Sequence, residues 1–307
     1  MPPPIDLLIP IYNGREYLPA LLSDIAEARQ YFVNIIFYDD ASVDGSADYL
    51  EENGHYVIRG KENRGQAFAR NALFSASSSD FVHFHDMDDP LRATFFEEII
   101  PVLKDSQVCI GRFTAEYPDH AVKYPIAPSL LAGKLTLVEA YRYFIHLNSV
   151  VFPRKCIADV EGFQDQLRLH EDRFLVLRLA DSHVSWRLCP SAHASQRCHP
   201  KNTTTNVGER AYWENWIEFF ELAFKTMPTR DLGFLNNDLL YASRWLLRNR
   251  QHAMADRGLA LCEGVGVGGF PRIPIFERLF CQLIGFRKTY SLKHWLLGLL
   301  RFRGTVV

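Results

Sequence analysis

The first third of the chain alternates short apolar runs with longer stretches whose apolar residues recur at helical spacing. The apolar runs are IDLLIPI (5–11), VNIIFYDD (33–40), HYVIRG (55–60) and DFVHFHD (80–86). Their length and nearly unbroken hydrophobicity are typical of strands that are buried on both faces of a sheet. Strands that alternate with helices in this way predict βαβ units and an α/β fold, with a mostly parallel sheet flanked by helices.

Beyond about residue 105 the pattern is less regular. Strands are predicted at 148–154 and 183–189, a helix at 170–182 and a polar loop at 198–206. From about residue 209 the chain has the pattern of helices, with apolar stripes formed by Trp213, Trp216, Ile217, Phe220 and Phe224 and by Leu235, Leu239, Ala242 and Leu246. We therefore expect a sheet-containing domain over 1–208 and a helical C-terminal extension over 209–307.

Polar side chains follow three of the predicted strands. Tyr12 and Asn13 come after the first strand, Asp39 and Asp40 end the second, and the acidic segment 86–89 follows the fourth. The carboxyl ends of parallel strands meet at one edge of a sheet, where ligands bind in such folds. The sequence therefore predicts one site that contains all three groups.

The segment HFHDMDDP (83–90) carries three acids, Asp86, Asp88 and Asp89, within four positions. Like charges this close repel, so the cluster must be open to water or accompanied by a positive charge. Aspartates without cysteine favour a hard divalent cation such as Mg²⁺ or Mn²⁺. An aspartate pair at a strand end is also common in capped turns, and an aspartyl-phosphate phosphatase would carry its acids after the first strand.

Composition narrows the possible classes of protein. The 307 residues have a formal net charge of −2, so nothing in the overall charge attracts the chain to nucleic acid. The six cysteines form no C-x-x-C pair, which favours free buried thiols in a reducing compartment. There is no basic start followed by an apolar core, and no apolar run of about 18 residues. We therefore expect a cytosolic protein without a signal peptide or transmembrane helix.

Four segments, IPIYNGREYL, FYDDASVDGS, ENRGQAFARN and HFHDMDD, resemble in this order and spacing the GT-A glycosyltransferases of family 2. Two later segments, GFQDQLRLHEDRFLVLRLA and RCHPKNTTT, are similar to that family's acceptor-side helix and late histidine loop. The resemblance covers roughly the first 205 residues. It implies a GT-A fold with a donor half at about 1–105 and an acceptor half at about 106–208. It also implies inverting, metal-dependent sugar transfer, most often from a UDP-sugar, to a glycan or lipid-linked acceptor of a surface polysaccharide.

The resemblance also implies a role for individual donor-side residues. Those that it places at the nucleotide are Pro10, Tyr12, Asp39, Asp40, Arg70, Asn71 and Asp86. In this set the ring of Tyr12 would stack on the base, and Asp40 would recognise the base edge with support from Asp39. Considered without the resemblance, Tyr12 is a strand-end aromatic residue, Asp39 a turn residue that bonds its own backbone, and Arg70 a solvated helix charge.

For the metal and the acceptor, the resemblance implies a second group of residues. Asp88, Asp86 and His199 would hold Mn²⁺ or Mg²⁺ under the diphosphate of the donor. Asp172 would be the catalytic base, and Glu171 beside it would orient the acceptor. Without the resemblance, Glu171 and Asp172 are ordinary acids in the first turn of a helix, and His199 is a loop histidine.

The chain departs from the family pattern at Ala41, where the family usually has a glycine after the acids. Because alanine disfavours a positive φ, we expect a negative φ and a slightly different loop here.

Three other functions remain open at this stage. They are a degenerate protein that binds nucleotide sugar without transfer, a sugar-phosphate nucleotidyltransferase and a structural scaffold.

The tail from residue 271 onward is basic, with seven Lys or Arg residues against the single acid Glu277. Its apolar residues recur at helical spacing and predict two amphipathic helices that are interrupted near Gly285. Such helices can lie in the headgroup layer of an anionic membrane, which would make the protein peripheral on the inner face of the cell membrane. The alternative is that their apolar faces pack on the protein itself or on a partner subunit.

Overall fold

The structure is a computed structural model that describes residues 3–202, 207–227 and 231–266, and then 274, 277, 279, 281–282 and 285–293. The chain divides into two units, Met1–Asn202 and Thr203–Val307. Each unit has its own buried apolar residues.

The first unit is built on an eight-stranded sheet. Its strands are β1 (Ile5–Ile11), β2 (Asn34–Asp39), β3 (Tyr56–Arg59), β4 (Phe81–Phe84), β5 (Gln107–Glu116), β6 (Ala121–Lys123), β7 (Val150–Pro153) and β8 (Ser185–Arg197). They are ordered β3-β2-β1-β4-β7-β5-β6, and β8 pairs with β5. The first four strands are parallel, whereas β7 runs antiparallel to both β4 and β5. The prediction of a mostly parallel sheet flanked by helices is confirmed.

The helices of the first unit are α1 (Leu18–Ala28), α2 (Ser46–Glu52), α3 (Gln66–Ala76), α4 (Ala93–Ile99), α5 (Leu137–Arg142), α6 (Arg154–Asp159) and α7 (Glu171–Asp181). The main core contains the apolar residues of β1 together with the buried faces of α1 and α4. Phe95 and Phe96 of α4 are almost fully buried there. This packing holds β1 and β4 rigidly, and therefore fixes the edge from which the polar residues project.

Strand β5 was not predicted from the sequence. Its run is interrupted by Gly111, where the pairing with β8 shifts in register. A Cβ at this glycine would lie 2.7 Å from the carbonyl oxygen of Ala192 and 2.8 Å from the ring of Phe95. The glycine is required by this close approach, and it weakens the strand signal in the sequence. β8 also extends well beyond the predicted 183–189.

The described part of the second unit is helical, as predicted: α8 (Glu209–Thr226), α9 (Asn236–Arg248) and α10 (His252–Val265). All four members of the predicted Leu235 stripe are buried, whereas Trp213 and Phe224 of the other stripe are only partly buried.

All six cysteines of the chain are free thiols. Among the described residues, no helix is both long enough and apolar enough to cross a membrane.

Part of the basic tail is described and packs within the second unit. Phe286 and Tyr290 are each only 2% exposed. The hydroxyl of Tyr290 donates to Glu277 over 3.1 Å, and Arg287 pairs with Asp256 over 2.6 Å. The remainder of the predicted membrane surface, including all of 294–307, lies outside the described residues.

Candidate active site

The polar residues that follow β1, β2 and β4 lie at one edge of the sheet, because these strands are adjacent and parallel. Ile11 is paired with Asp39, so Tyr12 and Asp40 leave the sheet side by side. The ring of Tyr12 is 47% exposed. Pro10, inside β1, is partly buried beside Tyr38. This edge therefore presents an aromatic face to solvent next to buried acids.

Both acids at the end of β2 accept backbone hydrogen bonds. Asp39 accepts the N–H of Ser42 over 3.2 Å. The two oxygens of Asp40 accept the N–H groups of Arg64 and Gly65, over 2.9 Å and 2.7 Å. Asp40 thus anchors the turn that leads into α3, while each of its oxygens retains a further lone pair.

The loop that follows these acids contains Ala41 at a φ of 63°. The expectation of a negative φ here is wrong, because Ala41 adopts the left-handed conformation that favours glycine. An L-residue in this conformation places its Cβ too close to the backbone, at a cost of roughly 1–2 kcal/mol. The surrounding hydrogen bonds of Asp39 and Asp40 hold the loop in place despite that cost.

Arg70 of α3 lies at the centre of the site and is only 2% exposed. Its guanidinium donates to Asp86 over 2.7 Å and to Glu171 over 2.5 Å. Burial raises the pKa of Asp86, but the charge of Arg70 outweighs it and holds this pKa below its ordinary value. Burial raises the pKa of Glu171 to about 7, although the adjacent Arg70 acts against this rise. One buried cation therefore joins an acid after β4 to an acid at the start of α7.

Asp88 is joined to the loop after β8. One oxygen of its carboxylate lies 3.0 Å from Nε2 of His199 and 3.1 Å from the amide nitrogen of Asn202. The ring of His199 stacks on Tyr17, with centroids 5.0 Å apart. Burial and the charge of Asp86 raise the pKa of Asp88. The structure thus brings together Asp88 and His199, two of the three residues that the resemblance assigns to the metal.

A further polar group lies behind Asp86. Nε2 of His146 is 3.7 Å from Asp86, and its ring stacks on Phe113 with centroids 4.6 Å apart. Asp89 accepts hydrogen bonds from Asn148 over 2.7 Å and from the N–H of Arg197 over 2.8 Å. Burial and the charges of the neighbouring acids raise the pKa of Asp89 well above its ordinary value.

Asp172 occupies the first turn of α7, next to Glu171. It is half-buried and lines a small surface hollow together with Tyr143, Phe144 and Ile145. The predicted base is therefore partly open to solvent, and it directly follows Glu171, which bonds Arg70.

Asn71 has a different environment from Arg70, its neighbour in the chain. Its amide nitrogen donates to the carbonyl of Phe163 over 2.8 Å and to Asp165 over 2.7 Å, and its oxygen accepts the N–H of Phe163 over 2.9 Å. These bonds fix the segment that leads into α7 against α3. The side chain of Asn71 thus helps to position α7.

The atoms that could act as metal ligands at this site fit a hard divalent cation. Oxygen ligands from Asp86 and Asp89 and a ring nitrogen of His146 lie within 4.8 Å of one another, with Asp88 adjacent. Arg70 balances the charge of Asp86, but no basic side chain of the described residues is seen paired with Asp89, and Asp88 has only the imidazole of His199. Burial, followed by the charges of the neighbouring acids, raises the pKa values of Asp88 and Asp89, and a bound cation would favour their ionised forms.

Several residues of the site were not predicted from the sequence: Tyr17, His146, Asn148 and Asn202. One of them is close in sequence to a predicted residue, since Asn202 is three positions after His199. Asp89 was predicted as part of the acidic segment but was not given a role of its own. His146 and Asn148 precede β7, which runs antiparallel to β4. They were missed because only this strand pairing brings them next to the acids.

A mostly parallel sheet, helices on its faces and an acidic edge at its strand ends define the class of this protein as a GT-A-type α/β domain. The fold is similar to the crystal structure of S. aureus TarS 1–349 in complex with UDP-GlcNAc, with a TM-score of 0.66 and 15% identity, covering 94% of this chain and 89% of that chain. It is also similar to TarS 1–349 in complex with UDP, with a TM-score of 0.51 and 16% identity, covering 95% and 89% of the two chains.

Residues 6–148 match the family model for glycosyl transferase family 2. The glycosyltransferase GlyG of Streptococcus pneumoniae is 27% identical over 36% of this chain and 38% of its own length. The undecaprenyl-phosphate 4-deoxy-4-formamido-L-arabinose transferase of Serratia proteamaculans is 33% identical over 38% of each chain. The chain thus matches little more than a third of the length of these two relatives.

Proposed function

We propose that this protein is an inverting, metal-dependent glycosyltransferase that moves a sugar from a UDP-sugar to a glycan or lipid-linked acceptor of a surface polysaccharide. The observation that carries the proposal is the junction at Arg70, where Asp86 from the end of β4 meets Glu171 at the start of α7. Groups suited to bind a leaving diphosphate and a group suited to accept a proton thereby share one site.

On the donor side, exposed Tyr12 is available to stack on a base, and Pro10 lies two positions before it in β1. Asp39 and Asp40 lie next to it at the end of β2, where Asp40 keeps lone pairs for a base edge. The choice of uracil rests on the family resemblance, and it agrees with the UDP and UDP-GlcNAc in the TarS complexes.

The divalent cation, Mn²⁺ or Mg²⁺, would be held by Asp88 with Asp86 and His199, and Asp89 and His146 lie close behind them. When bound, the cation neutralises the charge that develops on the leaving diphosphate. Asp88 contributes a charge that His199 and Asn202 hold in place through their hydrogen bonds. Arg70 keeps Asp86 ionised next to it.

On the acceptor side, Asp172 is the proposed general base. As the acceptor hydroxyl attacks the anomeric carbon, the bond from that carbon to the diphosphate oxygen breaks and the hydroxyl proton passes to Asp172. A single displacement of this kind inverts the anomeric carbon, and the diphosphate leaves without a second carboxylate acting as an acid. Asp172 is better suited to this role than Glu171, whose carboxylate is buried and bonded to Arg70.

The acceptor class rests on two observations. The relative from Serratia proteamaculans is named for an undecaprenyl-phosphate substrate, which is a lipid-linked compound. The tail from residue 271 carries seven basic residues and one acid, which suits the surface of an anionic membrane. We therefore extend the proposal to an enzyme that meets a lipid-linked acceptor at the inner face of the cell membrane.

The proposal is tested by measuring the melting temperature with UDP, GDP, dTDP or CMP, each with and without Mn²⁺. A ligand that binds only the native state raises this temperature, so we expect the largest rise with UDP and Mn²⁺ together. No rise with any nucleotide would overturn the proposal. A binding protein without transferase activity is distinguished by a donor-hydrolysis assay, in which it would release no sugar from UDP-GlcNAc or UDP-glucose.

A further inference from the structure

Arg70 is in contact with both halves of the proposed site. Its Nη2 lies 2.7 Å from Oδ1 of Asp86, and its Nη1 lies 2.5 Å from Oε1 of Glu171. The guanidinium also lies 5.6 Å from the ring centre of Phe163, in the segment before α7. Asp86 and Glu171 are 85 positions apart in the chain, so this single side chain connects two distant segments.

Two of the three charged groups are almost completely removed from water, and the side chain of Asp86 is 23% exposed. Arg70 is 2% exposed and Glu171 is 5% exposed. A buried charge is tolerated only where partners compensate it. Removing one partner therefore changes the balance of charge among the groups that remain. Here one guanidinium pairs with two carboxylates, so its single positive charge is set against two acids and does not fully compensate either of them.

Asp86 is where this sharing affects the donor side. The carboxylate oxygen not bonded to Arg70 faces His146, and the backbone N–H of Asp86 donates to Asn148 over 3.1 Å. Asp88, the principal proposed metal ligand, is two positions further along the same turn. A cation bound there and Arg70 would both interact with the carboxylate of Asp86. Stronger pairing of Asp86 with Arg70 would therefore weaken the attraction of Asp86 for the cation.

We propose that Arg70 is a positioning residue that couples metal-dependent nucleotide binding to Glu171, by dividing its guanidinium between Asp86 and Glu171. The inference rests on the proposed function, and it gives Glu171 a role that needs no contact with the acceptor. The carboxylate of Glu171 offsets part of the positive charge of Arg70, and in this way leaves the negative charge of Asp86 available to the cation.

The deciding variant is Glu171→Gln, assayed by calorimetric titration of the full chain with UDP in the presence of Mn²⁺. Glutamine keeps the shape of the side chain and can still accept a hydrogen bond from Arg70. Above the pKa of Glu171, which is about 7, the group changes from one positive and two negative charges to one of each, so the fold should persist. We expect the affinity for UDP with Mn²⁺ to fall at least about fivefold, a typical size for coupling between sites.

The matched control is Glu161→Gln, which removes an equal charge from the same region of the chain. The Glu161 side chain is 82% exposed and lies 3.4 Å from Arg178, away from Arg70. Its removal should leave the affinity for UDP with Mn²⁺ unchanged. If Glu171 acts only by orienting the acceptor, Glu171→Gln should behave like this control, and that result would overturn the inference.

A double-mutant cycle with Arg70→Lys tests the path of the coupling. Lysine keeps the positive charge but lacks the planar fork that holds two carboxylates at once. We expect the double variant to lose less affinity than the sum of the two single losses, and additive losses would contradict coupling through Arg70. If Arg70→Lys does not fold, Glu171→Gln and its control decide alone. If the wild-type protein binds no UDP with Mn²⁺, the proposed function itself fails.

Discussion

Nε2 of His199 lies 3.0 Å from Oδ2 of Asp88, although 111 positions separate the two residues. The backbone N–H of Lys201 points at the other ring nitrogen, Nδ1, over 3.2 Å. In a neutral ring Nδ1 therefore carries the lone pair, and Nε2 carries the proton that it donates to Asp88. For His199 to ligate a cation through Nε2, the proton would have to leave that nitrogen. Without such a change, His199 holds Asp88 in position as a hydrogen-bond donor.

Asp88→Asn should abolish sugar transfer and the Mn²⁺-dependent part of UDP binding. The amide is neutral and is a poor ligand in place of a carboxylate for Mn²⁺ or Mg²⁺. The variant should fold normally, because its carboxylate is destabilised by burial and by Asp86. Calorimetric titration with UDP, with Mn²⁺ or with excess chelator, measures the effect. Full activity of this variant, or of the wild-type protein in chelator, would show that no cation at Asp88 is needed.

Asp172→Asn should lower kcat by about 10²–10⁴-fold and leave donor affinity nearly unchanged. This combination is expected because a general base acts in the transition state, whereas the donor binds at the opposite side of the site. Steady-state kinetics gives kcat, and titration with UDP gives the affinity. Asp181→Asn, at the other end of α7, is the control for loss of one negative charge. If donor binding falls as much as turnover does, Asp172 has a structural role.

Asp6 should contribute to stability in a pH-dependent way. It is fully buried, and burial raises the pKa of its carboxyl, but hydrogen bonds from Ser79, Ser78 and Asn34 outweigh this and hold the pKa below its ordinary value. Stability from this group is therefore complete above the unfolded pKa of about 3.9, and is lost as the pH falls through the lower folded pKa. The loss belongs to the acid range, below about pH 4.

The variant that tests this contribution is Asp6→Asn, for which we expect a loss of about 2–5 kcal/mol at pH 7, because an amide leaves buried N–H donors unpaired. Urea unfolding at several pH values gives the free energy of unfolding. The difference from the wild-type protein should narrow in acid. Asp105→Asn, at an exposed position, should change stability little at any pH. An equal loss at pH 7 and in acid would contradict an ionised Asp6.

Ala41→Gly should stabilise the fold by up to about 1.5 kcal/mol. Relief of the left-handed strain at φ 63° contributes roughly 1–2 kcal/mol, and the greater freedom of glycine in the unfolded chain offsets about 0.4–1 kcal/mol of it. Urea unfolding is again the measurement. The exposed Ala20→Gly in α1 should have the opposite sign, losing about 0.5–1 kcal/mol. Destabilisation at both positions would mean that the loop around Ala41 relies on the alanine methyl group.

The basic tail should attach the protein to anionic vesicles. We expect the full chain to float with such vesicles at low salt, and to remain in the soluble fraction with neutral ones. Each basic residue near such a surface adds about 1 kcal/mol, so Arg301→Ser with Arg303→Ser should weaken binding roughly thirtyfold. If the full chain stays in the soluble fraction on anionic vesicles, the tail has another role, such as the packing seen for Phe286 and Tyr290.

Local sequence pattern was sufficient to predict much of the donor half. The bounds predicted for β1 were those of the structure, Ile5–Ile11, because a short apolar run closed by a turn signal has few alternatives. Once β1, β2 and β4 are parallel neighbours, Tyr12, Asp40 and Asp86 must leave the sheet at one edge. Chain direction and strand pairing alone place these groups together.

The partners of Arg70 and Asn71 were decided only by tertiary structure. These adjacent residues of α3 face different surroundings: Arg70 is buried between Asp86 and Glu171, whereas Asn71 holds the backbone of Phe163. Glu171 and Phe163 lie at least 90 positions further along the chain than their partners in α3. The close approach of Gly111 in β5 to Ala192 in β8 likewise joins residues 81 positions apart. Contacts over such separations depend on how whole elements pack, because a local pattern determines only which face of an element is apolar. The sequence by itself therefore determined which acids share an edge of the sheet, and packing determined which of them Arg70 joins.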